Sequence, residues 1–211
     1  MRPDDAEALE RCVARGGVAV FYTDTVYGLA CDPEDPDAVR RLYALKGRPP
    51  RKPSAVMWFS RGVALAALPE LGGRTRMLLE QLLPGGVTAL LPNPRRRFPL
   101  ACGPDPETLG LRVPDVPSLA AVSVPVLQSS ANLAGGPDPH RLQDVPESIR
   151  EGADLVLDGG DLPGIPSTII DLRGYEARGD WTVVREGLVS ASAIAAALGT
   201  LGSPSPLESR P

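Results

Sequence analysis

The chain has 211 residues, 43% hydrophobic, 23% charged and 4% aromatic, with a formal net charge of -4. This profile excludes disorder and collagen-like structure and fits one compact domain or at most two small ones. The acidic balance argues against a whole-surface nucleic-acid binder and leaves room for a local basic groove.

No apolar stretch approaches the roughly 20 residues that a membrane span needs. The opening residues, Met1 to Asp5, lack the apolar core of a signal peptide, so a cytoplasmic protein with no membrane partner is expected. Cys12, Cys31 and Cys102 lack C-x-x-C spacing and are expected to be buried, reduced thiols. The single histidine, His140, sits in a Gly- and Pro-rich turn, which points to a solvated loop residue and away from a Ser-His-Asp triad or a histidine metal centre. No Walker A or G-x-G-x-x-G motif is present, so a nucleotide site has to be built another way.

In chain order, Ala6 to Ala14 carries apolar residues at helical spacing before Gly16-Gly17, and Val18 to Tyr22 reads as a buried strand. Thr23-Asp24-Thr25 should then emerge at a sheet edge or cleft. Asp35-Pro36 is a good start for a second helix that ends at Lys46-Gly47. Ala55 to Phe59 returns as a strand, Ser60 caps a short helix to Leu68, and Thr75 to Leu83 is another helix. Strands are expected at Val87 to Leu91, Leu109 to Val113, Val124 to Gln128, Leu155 to Leu157, Thr168 to Leu172 and Trp181 to Arg185. Helices are expected at Val145 to Glu151 and Ser190 to Leu198. The alternation indicates a single α/β domain over residues 1–198, an open, twisted, mixed sheet flanked by helices, with a Ser/Pro/Gly-rich tail over 199–211.

Among 22 basic residues the only lysines are Lys46 and Lys52, six positions apart in Lys46-Gly47-Arg48-Pro49-Pro50-Arg51-Lys52. A compact ammonium fits among phosphate oxygens where a planar guanidinium does not, although two solvated surface lysines are an equally simple account. The run Arg95-Arg96-Arg97 is either a solvated bend or an RNA contact, the bend being the commoner fate. Arg112 lies in an otherwise apolar strand and needs an anionic ligand, a wet cleft or a structural Asp. Together Thr23, Thr25, Lys46, Arg48, Lys52, Thr108, Arg112, Ser129, Ser130, Asn132, Ser167, Thr168 and Arg185 form an anion-binding inventory of cations, hydroxyls and amides.

The ordered motifs Thr23-Asp24-Thr25-Val26-Tyr27-Gly28-Leu29, Lys46-Gly47-Arg48, Leu111-Arg112-Val113-Pro114, Ser129-Ser130-Ala131-Asn132, Pro166-Ser167-Thr168 and Val184-Arg185-Glu186-Gly187 resemble those of the YrdC-like family, the threonylcarbamoyl-AMP synthases. The resemblance runs from about residue 6 to 198. It implies a concave, basic cavity on a twisted sheet and a reaction of L-threonine, bicarbonate and ATP that yields threonylcarbamoyl-AMP and pyrophosphate. The product would serve N6-threonylcarbamoylation of adenosine 37 in tRNA, through a downstream tRNA threonylcarbamoyl transferase complex. By the same resemblance, Lys46 and Arg48 would be catalytic, and Lys46, Arg48, Lys52, Thr108, Ser130, Asn132 and Arg185 would bind ATP. Thr25 or Thr23, together with Arg112 and Ser167, would bind threonine. Magnesium would accompany ATP, carried mostly by phosphates and waters because no carboxylate cluster is evident, and no protein metal site is expected. The sequence departs from the pattern at Met57, Lys52, Ala134 and Asp138. The competing reading is a non-catalytic module that uses the same cavity to bind double-stranded RNA or the ribosome.

Overall fold

The computed structural model describes residues 5–49 and 52–199. Pro50 and Arg51 of the lysine-bearing loop, the first four residues and the expected tail from Thr200 onward lie outside the described residues. Among the described residues nine strands form one mixed sheet: β1 (Ala19–Phe21), β2 (Gly28–Cys31), β3 (Ala55–Met57), β4 (Val87–Pro92), β5 (Thr108–Arg112), β6 (Val126–Ser130), β7 (Leu155–Val156), β8 (Thr168–Asp171) and β9 (Thr182–Arg185). Their order is β7-β1-β2-β6-β3-β5-β4-β8-β9, with β1/β7, β3/β5 and β4/β8 parallel and the other neighbours antiparallel.

Among the described residues eight α-helices accompany the sheet: α1 (Asp5–Ala14), α2 (Pro36–Leu45), α3 (Arg61–Ala67), α4 (Gly73–Leu82), α5 (Pro99–Cys102), α6 (Glu147–Gly152), α7 (Tyr175–Arg178) and α8 (Ala191–Gly199). The second helix shows how sequence produces its element. Asp35 Oδ1 accepts from the N–H groups of Asp37 (2.8 Å) and Ala38 (3.1 Å), Pro36 presets the first helical φ, and Ala38, Val39, Leu42 and Tyr43 form the buried face. Gly47, at φ +58°, then turns the chain in the left-handed region that glycine enters without strain.

Alternation along the strands divides the sheet into two chemically different faces. Leu109, Leu111, Ala89, Leu91 and Leu127 are buried in the hydrophobic core. Their neighbours turn the other way, and registry carries that second face across the sheet. Ser130 and Gln128 on β6 lie level with Gly28 and Ala55, Thr88 pairs with Arg112 and Ile169, and Ile169 pairs with Arg185. One surface of the sheet is therefore polar.

Several expectations need correction. β6 begins at Val126, two residues later than expected, because Pro125 has no N–H to give a ladder. Ser129 and Ser130 thereby belong to the strand itself. β2 was not expected as a strand: its four residues are short and follow polar ones, yet they pair between β1 and β6. Ser60 stands at the start of α3 without a side-chain cap bond, whereas Ser190 Oγ accepts from Ala193 N–H at 3.2 Å. Cys12 is half-buried, and Cys31 and Cys102 are buried and unpaired as expected.

Candidate active site

The polar face of the sheet floors a cavity of about 450 Å³. Its lining includes Thr25, Arg48, Thr108, Arg112, Ser129, Ser130, Ser167 and Arg185, so eight residues of the anion-binding inventory come together. Thr88, Gln128, Asp105, Arg173 and Asp138 also line it. The signal for Thr88 was a single polar residue inside an apolar run, whereas Gln128 is the first of three polar residues that end one. Arg173 gave no such signal, because it lies just past the end of β8.

At one end of the cavity, Arg112 is buried and its Nη2 donates to Asp24 Oδ1 and to Thr25 Oγ1 (2.9 Å). Asp24 Oδ2 in turn accepts from Asp115 N–H at 3.1 Å, which fixes the carboxylate. Arg112 thus has the structural Asp that was one of its expected partners, and it also lines the cavity. Burial lowers its pKa below the ordinary value while the Asp24 charge and hydrogen bond oppose that shift, so the guanidinium remains charged. Thr23 sits behind Thr25, with Oγ1 accepting from Thr25 and Val26 N–H, and is not part of the cavity wall. Ser167 Oγ shares a hydrogen bond with Thr88 Oγ1 at 2.9 Å, and the Ser167 carbonyl accepts from Arg185 Nη2 at 2.8 Å.

The last contact depends on a close approach of two segments. Gly187 N–H donates to Thr168 Oγ1 at 2.9 Å, and Leu188 N–H to Pro166 O at 2.8 Å. A Cβ at Gly187 would lie 2.1 Å from Pro166 O, so only glycine lets the strand carrying Arg185 come against Ser167.

The other end is built around Arg48. Its Nη1 donates to Ser129 Oγ (2.7 Å), its Nη2 to Pro53 O, and its guanidinium lies 5.6 Å from the centre of the Tyr43 ring. None of these partners is a carboxylate. Thr108 Oγ1 donates to Asp105 Oδ2 at 2.6 Å and accepts from Arg173 Nη1 at 3.2 Å, while Arg173 holds both Asp171 oxygens.

Lys46 departs from its expected place. It is buried outside the cavity wall, and Nζ donates to Ser130 O, Asn132 O (2.8 Å) and Asn132 Oδ1 (2.8 Å). Three donors at tetrahedral angles meet three protein oxygens, a task a planar fork cannot perform, so the need for lysine has a protein-internal reason here. Asn132 also accepts from Ser130 Oγ (2.6 Å) and donates to Gly136 O (2.6 Å), which makes it part of the turn and not of the wall. Burial, with the Arg48 charge next in weight, lowers the Lys46 pKa to about 8. Lys52 is exposed and does not line the cavity, although its charge contributes to that lowering.

Among the described residues, two buried side-chain polar atoms have no hydrogen-bond partner: Arg48 Nε and Arg112 Nε. A buried donor left unpaired costs about 1–3 kcal/mol. Both belong to arginines of this one cavity, one at each end, which marks the cavity as made for anionic groups. Outside it, Arg97 is taken by Glu70 (Nε to Oε1, 2.8 Å) and Arg96 by Glu107 (3.0 Å), so the arginine run is matched by the domain's own acids. His140 is half-exposed in its loop, 3.1 Å from Asp144.

The Sua5/YciO/YrdC family, described as telomere recombination, matches residues 11–187. The chain belongs to this family. It is 38% identical over 168 residues to the threonylcarbamoyl-AMP synthase of Chromohalobacter salexigens, covering 77% of this chain and 89% of that protein. A Bacillus subtilis relative of the same name is 30% identical over 171 residues, and there the match spans 72% of this chain but 46% of the longer protein. Among family members of known structure, Escherichia coli YciO superposes with a TM-score of 0.76 at 26% identity, covering 92% of this chain and 94% of that one. Pyrococcus abyssi Sua5 complexed with L-threonine gives 0.80 at 27% identity, covering 94% of this chain and 58% of that one. Family membership and the observed open α/β sheet with its polar cavity agree with the architecture expected from the sequence.

Proposed function

We propose that the chain is a threonylcarbamoyl-AMP synthase that uses the cavity on the polar face of its sheet. The relatives at 38% and 35% identity carry that name, and both are covered over most of their length. The observation that carries the reading within this molecule is the pair of unpaired buried Nε donors, one at each end of a single cavity of about 450 Å³. That cavity would receive an amino acid carboxylate at Arg112 and a triphosphate at Arg48.

In the proposed reaction the threonine amine displaces water from bicarbonate to give a carbamate. A carbamate oxygen then attacks the α-phosphorus of ATP, the bond to the β-phosphate oxygen breaks, and pyrophosphate leaves. The substrates supply the nucleophile, so no serine, cysteine or histidine of the chain has to act as one. The protein's tasks are to align the reactants, exclude water from a labile carbamate and stabilise developing negative charge. Arg112, Thr25 and Ser167 would seat threonine. Arg48, Thr108, Ser130 and Arg185 would seat ATP, with Lys46 and Asn132 acting by holding the Ser130 turn in place, and Lys52 adding charge nearby.

Among the described residues no group of three or more His, Cys, Asp or Glu is disposed to hold a metal ion, and the acids on the cavity wall are Asp105 and Asp138. This donor set fits magnesium that arrives on the triphosphate, with its remaining positions filled by water. When bound, the ion would neutralise phosphate charge. The product would pass to a transferase acting on tRNA. No described helix is long and apolar enough to cross a membrane.

The test is incubation of the pure protein with ATP, magnesium, bicarbonate and labelled L-threonine, with pyrophosphate and the threonine-containing adenylate as readouts. Release that needs both threonine and bicarbonate is expected. Equal release with either one omitted would replace this reading with a plain ATPase or an aminoacyl-adenylate former.

A further inference from the structure

Among the described residues, the acids on the cavity wall are Asp105 and Asp138, and they are used differently. Asp105 is engaged: Oδ2 accepts from Thr108 Oγ1 at 2.6 Å, Oδ1 accepts from Glu107 N–H at 3.2 Å, and Arg173 Nη1 lies 3.6 Å from Oδ2. The Asp138 carboxylate makes no hydrogen bond or ion pair with any described residue. Cations are near, but they are committed elsewhere. The Asp138 charge is felt at Lys46, whose ammonium protons go to Ser130 O, Asn132 O and Asn132 Oδ1. Arg48 turns its Nη groups to Ser129 Oγ and Pro53 O.

The free carboxylate is also firmly mounted. Asp138 stands between Pro137 and Pro139, so fixed φ angles on both sides, and the bias of a residue before proline toward extended backbone, leave its main chain little freedom. The surrounding loop is tied down: Asn132 Nδ2 donates to Gly136 O at 2.6 Å, Ala134 N–H to Lys46 O at 2.8 Å, and Tyr27 N–H to Pro139 O at 2.9 Å. Left bare, this carboxylate would repel a triphosphate seated at Arg48, and a cation between the two turns that repulsion into attraction. Magnesium suits the place, because it keeps several waters and is held by phosphates together with one or two carboxylates. We propose that Asp138 receives the magnesium ion that ATP carries, accepting hydrogen bonds from the ion's waters, so that the cavity selects the magnesium complex over the free nucleotide. The inference deepens the proposed function and rests on it in taking ATP as the ligand. Asp105, already occupied by the domain's own donors, has no such part.

The experiment is calorimetric binding of ATP to the full chain, once with saturating magnesium and once with EDTA, for wild type, Asp138→Asn and Asp105→Asn. Wild type should bind the magnesium complex at least about tenfold more tightly than free ATP. In Asp138→Asn that ratio should fall below about threefold, because the complex loses an acceptor for its waters and free ATP loses a repelling charge. Asp105→Asn should keep the ratio within about twofold of wild type, since its carboxylate faces protein donors. Equal binding of the two forms by wild type, an Asp138→Asn ratio within about twofold of wild type, or an equal collapse in Asp105→Asn overturns the proposal. Asp138 has no protein partner to lose, so its variant is expected to fold.

The cobalt(III) tetraammine complex of ATP, whose ammines donate hydrogen bonds but do not exchange for a carboxylate, tests the part played by the waters. Its affinity should also weaken, by about threefold or more, in Asp138→Asn. Weakening of the magnesium complex without weakening of the cobalt complex overturns acceptance through the ion's waters. ATP binding that follows the expected pattern without threonine-dependent pyrophosphate release would remove the proposed function and leave this inference standing. Failure of wild type to bind ATP in either form would remove both.

Discussion

Each end of the cavity presents an arginine whose buried Nε is unpaired, but the two ends balance charge differently. Arg112 has Asp24 against it, and Asp24 is itself held by the Asp115 N–H. Arg48 has a hydroxyl, a carbonyl and an aromatic ring, and behind it stands Lys46, whose Nζ is satisfied by neutral oxygens only. The Arg112 charge is matched by an ion pair with Asp24, with Arg185 nearby, whereas Arg48 and Lys46 have no ion-pair partner and Asp138 is the acid close enough to oppose the charge on Lys46. A zwitterionic amino acid carries no net charge and is selected by where its donors and acceptors point. A triphosphate carries several negative charges and is held best where the protein has left cations without counter-charges. In the proposed reaction this difference would let one cavity seat two unlike substrates.

The largest expected effect comes from removing the uncompensated charge. Arg48→Ala should lower kcat/KM by roughly two to three orders of magnitude, about 3–4 kcal/mol of transition-state stabilisation, with the thermal midpoint little changed. A loss below tenfold in the threonine-dependent pyrophosphate assay would mean that the triphosphate is seated elsewhere.

Lys46 separates the two roles a cation can have at this end. Because the Ser130 and Asn132 carbonyls lose the Lys46 donor and Asn132 Oδ1 keeps only Ser130 Oγ, Lys46→Ala should cost about 2–4 kcal/mol of stability in urea titration, in addition to lost activity. Lys46→Arg should not restore either one, since a planar fork cannot address three converging oxygens. Full stability in either variant would show that the turn at Ser130 and Asn132 holds itself.

At the balanced end, Asp24→Asn keeps a hydrogen-bond acceptor for Arg112 and removes the counter-charge. The KM for threonine should rise roughly tenfold while that for ATP stays within about twofold, because the arginine is then reoriented and has lost its counter-charge. A selective ATP defect would reverse the assignment of the two ends.

The smallest effect is on pH dependence. With a folded pKa of about 8 against 10.5 for the free group, the fold disfavours the charged Lys46. Between those values the unfolded chain holds a proton that the folded chain has lost, so this residue makes stability rise with pH across that window. Over the first part of the same window the Arg48 end loses positive charge, and ATP affinity should fall by a few-fold between pH 7 and 9. An ATP affinity that is flat over that range in wild type would show that Lys46 does not contribute to the field at the phosphates.

The sequence by itself determined the α/β class, most strand and helix positions and the chemical type of the site, because period-two alternation, caps and lone polar residues in apolar runs are local signals. Asp35-Pro36 at the start of α2 and Arg112 inside a strand needed no tertiary information. β2 escaped because a four-residue strand is made by its neighbours β1 and β6 more than by its own composition. Only the tertiary structure decided which polar residues share the cavity. It moved Lys46 and Asn132 into the supporting turn, placed Thr23 behind Thr25, and brought in Thr88 from β4 and Arg173 from just past the end of β8. Sheet registry sets these relations, since pairing between distant segments determines which side chains face one another, and no single segment carries that information.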